Sequence, residues 1–495
     1  MMVTHEQAFL KAKKEFESMM ELAKQAASTG VLVHQVEADL WEGLLRMGRH
    51  LLQGYVEAQG TGDLGPTLEY EGQTHHRLEG LFDRRYVSIF GELRISRTVY
   101  GTRLTQKLEM IPLDARLGLP ESDFSYVLQE WDQSFCVNNS FDTSRKQIQR
   151  ILGLGQTLGS LEQMNRSMAE DVGAFHDAQP VPSPEQEDSL LVLTADGKGV
   201  PMRRDPKQDA PAPSGRLQKG QKAGKKREAC VGGVYTVEPF VRTADEVVEE
   251  VLRKKAKENR PVPKNKQLRA ALTQAMDGRE VKGKEQIFAW FAEQVPLRNK
   301  DGTKPMVCVM DGTRSLWAML AQYVVGVIGI WDIYHALEYL WLAAYCFFPE
   351  GSDEAKAFVT ERLKRILEGK VGYVMGGWKQ METKGNLNKG KRTQLAKVLT
   401  YFEHNRRFMK YDEYLANGYP IGSGVVEGAC RHLVKDRMEG TGMRWRVAGA
   451  QAMLNLRAVF LNDDWDSFQQ YRIELNCRKL YPYQKKVELK WEKAA

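Results

Sequence analysis

Cysteine is scarce in this sequence, with six residues among 495, and they lie far apart without any C-x-x-C pair. That spacing argues against a disulfide framework and against a zinc site, and it favours a reducing cytoplasm. Long apolar runs are missing too. The most apolar stretch, YVVGVIGIW at residues 323–331, is too short to cross a bilayer and predicts a buried strand. The first twenty residues carry charges throughout and lack the apolar segment of a signal peptide, so we expect neither secretion nor a membrane.

Two common catalytic motifs are also missing. The glycine-rich stretch GLGQTLGS at residues 153–160 lacks the strand–turn–helix context of a dinucleotide site and has no Walker lysine. No G-x-S-x-G element marks a serine hydrolase. We therefore expect no nucleotide cofactor.

Charge and length set broad limits. The chain has 71 Lys and Arg against 64 Asp and Glu, a net charge of +7, and 42% hydrophobic residues. This composition is typical of globular proteins, and 495 residues predict two to four domains. The modest positive charge permits a polyanionic partner without requiring one.

The first third of the chain suggests a DNA-binding region. We expect a helical region over residues 1–70, followed over 71–175 by a β-hairpin and a helix-turn-helix-like part. The hairpin, RRYVSIFGELRISRTVYGTR at 84–103, has mostly arginine at its polar positions, so it either lies along DNA or is simply an exposed basic hairpin. The short helical segments between 124 and 171 suit a helix-turn-helix or any small helical bundle.

Two aspartates occupy matching places beyond the proline-rich segment 176–188. Asp196 and Asp311 each follow an apolar run, in VLTADGKGVPM and VCVMDGTRSLW, and each precedes a glycine. An Asp-Gly pair often does no more than end a strand at a turn. On two adjacent parallel strands, however, the carboxylates would lie side by side and repel each other unless a cation lay between them. Mg²⁺, which prefers oxygen ligands, suits such a site.

A third carboxylate stands in the stretch YPIGSGVVEGACRHLVKDR at residues 419–437. Ser423 is a good N-cap for a helix in which Glu427, Arg431 and Lys435 fall on one face, four residues apart. Glu427 either forms an ordinary ion pair with Arg431 on a solvated face or completes the cation site of the two aspartates.

The sequence resembles a known family at this point. VLTADGKGVPM, VCVMDGTRSLW, WDIYHALEYLW and the stretch 419–458 are similar, in the same order, to the catalytic blocks of DDE transposases from bacterial insertion sequences, the ISKra-type group in particular. The resemblance covers roughly residues 84–460. It implies a ribonuclease H-like α/β core (186–338 and 413–460) with a mainly helical insertion (339–412), followed by a basic tail (461–495).

The resemblance also implies site residues. The catalytic and metal-binding triad would be Asp196, Asp311 and Glu427, with two Mg²⁺ or Mn²⁺ ions. Asp332 and His335 match an accessory D-x-x-H motif, although Asp332 is also a plausible N-cap with His335 packed against the core. The candidate DNA contacts are Arg431, Lys435, Arg437, Arg444, Trp445 and Arg446. Trp445 stacks on a base or fills the core. The segments 384–392 and 216–227 are candidate contacts to the DNA backbone.

The expected function is therefore a DNA transposase that binds the ends of an insertion sequence and carries out metal-dependent strand cleavage and strand transfer. Its partners would be double-stranded DNA and at least one further copy of the chain. Its location would be the cytoplasm, at the nucleoid. Two alternatives stay open. One is a ribonuclease H-like nuclease without strand transfer, and the other is a DNA-binding regulator derived from a transposase.

Overall fold

The computed structural model describes residues 5–102, 109–203, 226–253, 260–276, 278–385 and 387–492. The chain divides into two compact units. The first unit is Met1–Phe175 together with Asp464–Ala495, and the second unit is His176–Asp463. The boundaries of the smaller regions proposed from the sequence stay predictions.

The first unit begins with two long helices, a confirmed prediction, and continues with short strands and short helices. Its elements are α1 (His5–Thr29), α2 (Val33–Ala58), β1 (Thr67–Tyr70), β2 (Gln73–Arg77), β3 (Phe82–Ser88), β4 (Gly91–Arg97), β5 (Tyr100–Gly101), α3 (Pro112–Leu117), α4 (Tyr126–Cys136), α5 (Phe141–Leu152), α6 (Leu158–Glu170) and α7 (Val172–Ala178).

The predicted β-hairpin is confirmed, because β3 and β4 pair antiparallel with Ser88 opposite Gly91. Its arginines do not form a uniform exposed ribbon. Arg97 donates a hydrogen bond of 2.6 Å to the buried carboxylate of Asp114, so this side chain is held inside the unit. Arg103 lies outside the described residues.

The second unit contains a five-stranded sheet surrounded by helices. Its elements are β6 (Leu190–Pro201), β7 (Lys226–Val237), α8 (Ala244–Arg253), β8 (Lys264–Leu272), β9 (Gln274–Met276), β10 (Arg279–Val281), α9 (Gly283–Arg298), β11 (Met306–Met310), α10 (Arg314–Tyr323), β12 (Ile328–Trp331), α11 (Ile333–Phe347), α12 (Asp353–Leu367), α13 (Val371–Lys384), α14 (Lys389–Asn405), α15 (Tyr411–Ala416), α16 (Gly424–Ala429), α17 (Asp436–Met438) and α18 (Val447–Leu461). The stretch between α16 and α17, Cys430–Lys435, is π-helical.

The C-terminal segment forms two helices of the first unit, α19 (Trp465–Leu480) and α20 (Gln484–Glu492). Phe468 of α19 is fully buried, and its ring centroid lies 5.3 Å from that of Phe175. The polar, basic composition of this segment concealed the few apolar side chains that attach it to the first unit.

The strand order of the large sheet is β12-β11-β6-β7-β8. β11 pairs parallel with both β6 and β12, whereas β7 pairs antiparallel with β6 and β8. The central strand β6 starts with the fully buried run LLVLTA, as expected for a strand that is covered on both faces. The strand predicted at 323–331 is shorter than expected, because Val325 is 87% exposed and only Ile328–Trp331 joins the sheet.

Two glycines of β7 show which helices cover the two faces. Consecutive residues of a strand point to opposite faces. A Cβ atom on Gly232 would lie 2.4 Å from Ile287 of α9, whereas one on Gly233 would lie 3.8 Å from Val425 of α16. α9 and α16 therefore cover opposite faces, and α16 packs beside β6 and β7. Among the helices that the structure describes, none is both long and apolar enough to span a membrane.

Candidate functional site

Asp196 and Asp311 are neighbours across the pair β6 and β11. In this parallel register Met310 lies opposite Ala195. The residues that follow this pair in the sequence are Asp311 and Asp196. This confirms that adjacent parallel strands bring them together. One detail of the prediction was wrong, because β6 does not end at Asp196. It continues to Pro201, paired with β7, after β11 has ended.

The carboxylate of Asp196 is largely enclosed. One oxygen accepts a hydrogen bond of 2.6 Å from the backbone N–H of Gly197, and the other accepts one of 3.3 Å from the thiol of Cys430. Burial raises the pKa of Asp196, and repulsion from Asp311 adds to the rise, while the two hydrogen bonds and His335 oppose it.

Asp311 lies on a firmly held backbone. Its carbonyl accepts hydrogen bonds of 3.1 Å from the Trp331 indole and of 3.1 Å from the Tyr401 hydroxyl. Gly312 has φ of 87°, and a Cβ there would lie 2.7 Å from the Trp331 indole nitrogen, so this position needs glycine. The carboxylate accepts from the backbone N–H and the hydroxyl of Thr313, at 2.8 and 2.7 Å, just before α10 begins.

Glu427 lies on α16, close enough to Asp196 for the two charges to interact. Partial burial raises its pKa, the charges of Asp332, Asp196 and Glu338 raise it further, and His335 opposes them. Among the described residues, no side chain forms a hydrogen bond or an ion pair with the Glu427 carboxylate.

The structure argues against one alternative for this helix and corrects one expectation. Arg431 lies 3.8 Å from Asp436 instead of pairing with Glu427, because the π-helical stretch changes the phase of the helix after residue 429. Ser423 occupies the N-cap position but makes no capping hydrogen bond through its side chain.

Asp332 is a buried N-cap, which confirms the structural alternative considered for it. Its carboxylate accepts hydrogen bonds from the backbone N–H groups of Tyr334 (2.6 Å) and His335 (3.3 Å) at the start of α11. It also accepts from the N–H of Ser423, and so ties the start of α11 to the start of α16. Asp332 therefore positions the helix that carries Glu427. His335 is only partly buried, so the second part of that alternative, packing of His335 against the core, is not borne out; its ring lies 3.8 Å from Glu338.

The π-helical stretch is held by an arginine that the sequence did not suggest. Arg457 of α18 is buried and donates to the backbone carbonyls of Leu433, at 3.1 Å, and of His432. A π-helical turn disrupts the regular pattern of backbone hydrogen bonds, and such turns are frequent at functional sites. Burial lowers the pKa of Arg457 to about 10, and Asp436 opposes the change. Arg457 thus stabilises the turn that follows Glu427 and contains Cys430.

We expect Arg457→Met to loosen this turn. Removing both donors takes a hydrogen bond from the buried carbonyl of Leu433 and one from the partly buried carbonyl of His432, which costs about 1–3 kcal/mol of unfolding free energy. The Cys430 thiol, buried beside Asp196, should also react faster with an alkylating reagent. Thermal unfolding and mass spectrometry of the alkylated protein measure the two effects. The matched control is Arg446→Met, which removes an exposed arginine just before the same helix. Equal melting temperatures and equal Cys430 protection in the two variants would contradict this role.

The six candidate DNA contacts fall into two groups. Four are exposed and accessible to a phosphate group: Arg431, Lys435, Arg444 and Arg446. The other two are buried. Arg437 is 2% exposed with its guanidinium over the Trp445 ring, and the Trp445 indole donates to the carbonyl of Met438 at 3.0 Å. The structure therefore corrects the assignment of Arg437, and it favours the core role of Trp445.

The two basic segments receive little support. The described residues of 384–392 form the end of α13 and the start of α14. Most of 216–227 lies outside the described residues. Their roles as DNA contacts stay predictions.

The carboxylates fit a magnesium site in chemistry but not in their present positions. Three carboxylates supply the oxygen ligands that Mg²⁺ prefers, and a cation would offset the repulsion between Asp196 and Asp311. In the described part of the chain, however, no group of three His, Cys, Asp or Glu side chains is arranged to hold a metal ion. Both oxygens of Asp311 are engaged by Thr313, so metal binding would have to compete with these hydrogen bonds.

Three residues near the site were missed by the sequence analysis: Cys430, Thr313 and Arg457. Cys430 follows Glu427 by three residues, and this helical spacing was a usable signal. Arg457 gave no signal, because its partners are backbone carbonyls on another helix. Comparison of the sequence with models of known protein families and with curated proteins found no match.

Proposed function

We propose that the chain is a DDE-type DNA transposase that binds insertion-sequence ends, cleaves DNA strands and joins them to a target. One observation carries the proposal. Asp196 and Asp311 each come directly after a paired position of two adjacent parallel strands, and Cys430, three residues after Glu427, donates a hydrogen bond to Asp196.

The topology of the second unit supports a ribonuclease H-like core. Its first strand, β6, is central. The strands β7 and β8 lie on one side of it, and the parallel strands β11 and β12 lie on the other. Between β12 and α16 the described chain forms the helices α11–α15, as a mainly helical insertion requires.

Each site residue has a specific role in the proposed reaction. Asp196, Asp311 and Glu427 would hold two Mg²⁺ ions, which supply charge that activates the attacking oxygen and stabilises the leaving one. The hydrogen bonds to Asp196 from Gly197 and Cys430 orient its carboxylate. Asp332 fixes the start of the helix that carries Glu427.

Substrate contacts and assembly are parts of the same proposal. Arg431, Lys435, Arg444 and Arg446 would bind phosphates near the scissile bond, since cationic side chains neutralise the DNA backbone. The first unit, with its hairpin and helices α4–α6, would recognise the element ends. Because a transposase joins two ends in one complex, at least a dimer is required. Its place of action would be the cytoplasm, at the nucleoid.

A strand-cleavage assay tests the proposal. The full-length protein is incubated with Mg²⁺ or Mn²⁺, a labelled duplex that carries the terminal sequence of the encoding element, and an unlabelled target plasmid. We expect nicks at the element terminus and labelled products joined to the plasmid, both dependent on the divalent cation.

The outcomes separate the alternatives. Nicks without joined products would favour a ribonuclease H-like nuclease. Binding of the terminal duplex without cleavage would favour a regulator derived from a transposase. A scrambled duplex of equal length is the control for specificity. If the protein neither bound nor cleaved the terminal duplex, the result would contradict the proposal.

A further inference from the structure

Buried polar side chains line one side of α4 in the first unit. Gln129, Asp132 and Gln133 are each exposed by 2% or less, and their spacing of three and four residues places them on one face of the helix. Gln133 donates to the carbonyl of Leu161 at 3.1 Å and accepts from Asn165 at 2.9 Å, so it is tied to α6. A buried polar atom costs stability unless it is hydrogen-bonded, so each atom on this face needs a partner.

Asp132 connects α4 to the loop between α5 and α6. This loop, residues 153–157, begins at Gly153, whose φ is 70°, and ends at Thr157, the N-cap of α6. Asp132 accepts a hydrogen bond of 2.7 Å from the side-chain amide of Gln156. Asp132 is 0% exposed and Gln156 is 8% exposed. A buried hydrogen bond therefore holds the loop against α4.

Two oxygens of this pair have no donor. Among the described residues, nothing donates to the second carboxyl oxygen of Asp132 or to the amide oxygen of Gln156, and both atoms are buried. An ionised carboxylate can only accept, so it would leave both oxygens unsatisfied. A protonated carboxyl has one O–H donor. If this O–H donates to the Gln156 oxygen, both oxygens are engaged, and the carboxyl and the amide form a pair with two hydrogen bonds.

The surroundings of Asp132 also favour its neutral form. Burial raises the pKa of Asp132 to about 7, and the hydrogen bond from Gln156 opposes the rise. Arg472 of α19, a buried cation bound to α4, donates to Gln129 at 2.7 Å and lies 3.6 Å from Asp171. Among the described residues, none forms an ion pair with Asp132. The other charged or titratable residues on α4 and on the elements packed against it, none of which is a cause of this pKa shift, are Tyr126, Glu130 and Cys136 of α4, Asp142, Arg145, Lys146 and Arg150 of α5, Glu162, Arg166 and Glu170 of α6, and Asp83, Arg84, Arg85 and Tyr86 of β3.

We infer that Asp132 keeps its proton in the native fold and acts as a pH-dependent switch, in which the neutral carboxyl pairs with Gln156 and holds the α5–α6 loop, and loss of the proton loosens the loop. The inference does not depend on the proposed function.

The direction of the pH dependence follows from proton binding. When the loop opens and Asp132 meets water, its pKa returns to about 4. Between about pH 4 and pH 7 the closed loop therefore binds more protons than the open loop. Opening becomes easier as the pH rises through this range, and the change levels off above about pH 7.

Hydrogen exchange of the full-length protein, followed by mass spectrometry between pH 5 and pH 8, tests the inference. The informative peptides cover residues 153–161, in which the backbone N–H groups of Gly153 and Leu161 are hydrogen-bonded. After correction for the intrinsic exchange rate, we expect protection in the wild-type protein to fall by about fiftyfold between pH 5 and pH 7, because opening is linked to one proton.

Two variants identify the group that titrates. Asp132→Asn should remove the pH dependence, because an asparagine amide can form the same two hydrogen bonds with Gln156 at every pH. Asp142→Asn is the control, since Asp142 is a half-exposed aspartate of α5, and it should keep the wild-type profile.

Two results would overturn the inference. A flat profile in the wild-type protein would mean that Asp132 is ionised and that a buried water donates to both oxygens. An equal pH dependence in the wild-type protein and in Asp132→Asn would mean that another group titrates.

Discussion

Replacing Glu427 by glutamine should reduce DNA cleavage by at least about a hundredfold, because it removes a charged oxygen ligand from a site that needs tight geometry. Stability should hold or rise slightly, since burial and then the neighbouring charges of Asp332, Asp196 and Glu338 raise the pKa of Glu427 and therefore oppose its ionised form. Cleavage rates at saturating DNA and thermal unfolding without metal measure the two effects.

The chain contains a matched control for this substitution. Glu338 contributes to the same local negative charge, and its side chain is 74% exposed, but it is not a proposed ligand. Glu338→Gln should leave cleavage nearly unchanged. Glu427→Asp keeps the charge but retracts it by one methylene, so we expect a strong loss that Mn²⁺ partly restores. If Glu427→Gln cleaved DNA at the wild-type rate, the third ligand would have to be sought elsewhere.

Asp196→Asn and Asp311→Asn should each abolish cleavage while end-binding stays nearly intact. Each substitution keeps one of the two local hydrogen bonds, because the amide oxygen can still accept from the N–H of Gly197 at the first position and of Thr313 at the second. The amide NH₂ replaces the oxygen that accepts from the Cys430 thiol or the Thr313 hydroxyl. Loss of activity would then reflect loss of charge at the metal site instead of misfolding.

Two measurements distinguish this result from a structural effect. Gel-shift assays should give similar affinities for wild-type and variant proteins. Mg²⁺ should raise the melting temperature of the wild-type protein but not of Asp196→Asn, since ligand binding stabilises only the chain that binds it. Normal cleavage by either variant would remove that aspartate from the catalytic site.

Local patterns in the sequence predicted the centre of the second unit well. The buried runs before Asp196 and Asp311 have the composition of strands covered on both faces. Their adjacent parallel pairing, which the sequence analysis took as a condition, is present in the sheet. The sequence could not show that β6 continues beyond Asp196, because that extension depends on pairing with β7, more than twenty residues later.

Features that depend on distant side chains were not predictable in the same way. The regular helical spacing of Glu427 and Arg431 concealed the π-helical turn, which Arg457 stabilises from another helix. Basic residues are usually exposed, so the sequence placed Arg437 on the surface. In the structure its guanidinium is covered by Trp445, a residue whose core role the sequence left open.

Iron-mediated cleavage of the polypeptide tests the central claim most directly. Fe²⁺ replaces Mg²⁺ in the full-length protein, and ascorbate with peroxide then generates hydroxyl radicals that cut the backbone near the bound ion. We predict cuts near residues 196, 311 and 427 in one sample, suppressed by excess Mg²⁺ and lost in the double variant Asp196→Asn and Asp311→Asn. Cuts that avoid these three segments, or that persist in the double variant, would contradict a shared metal site.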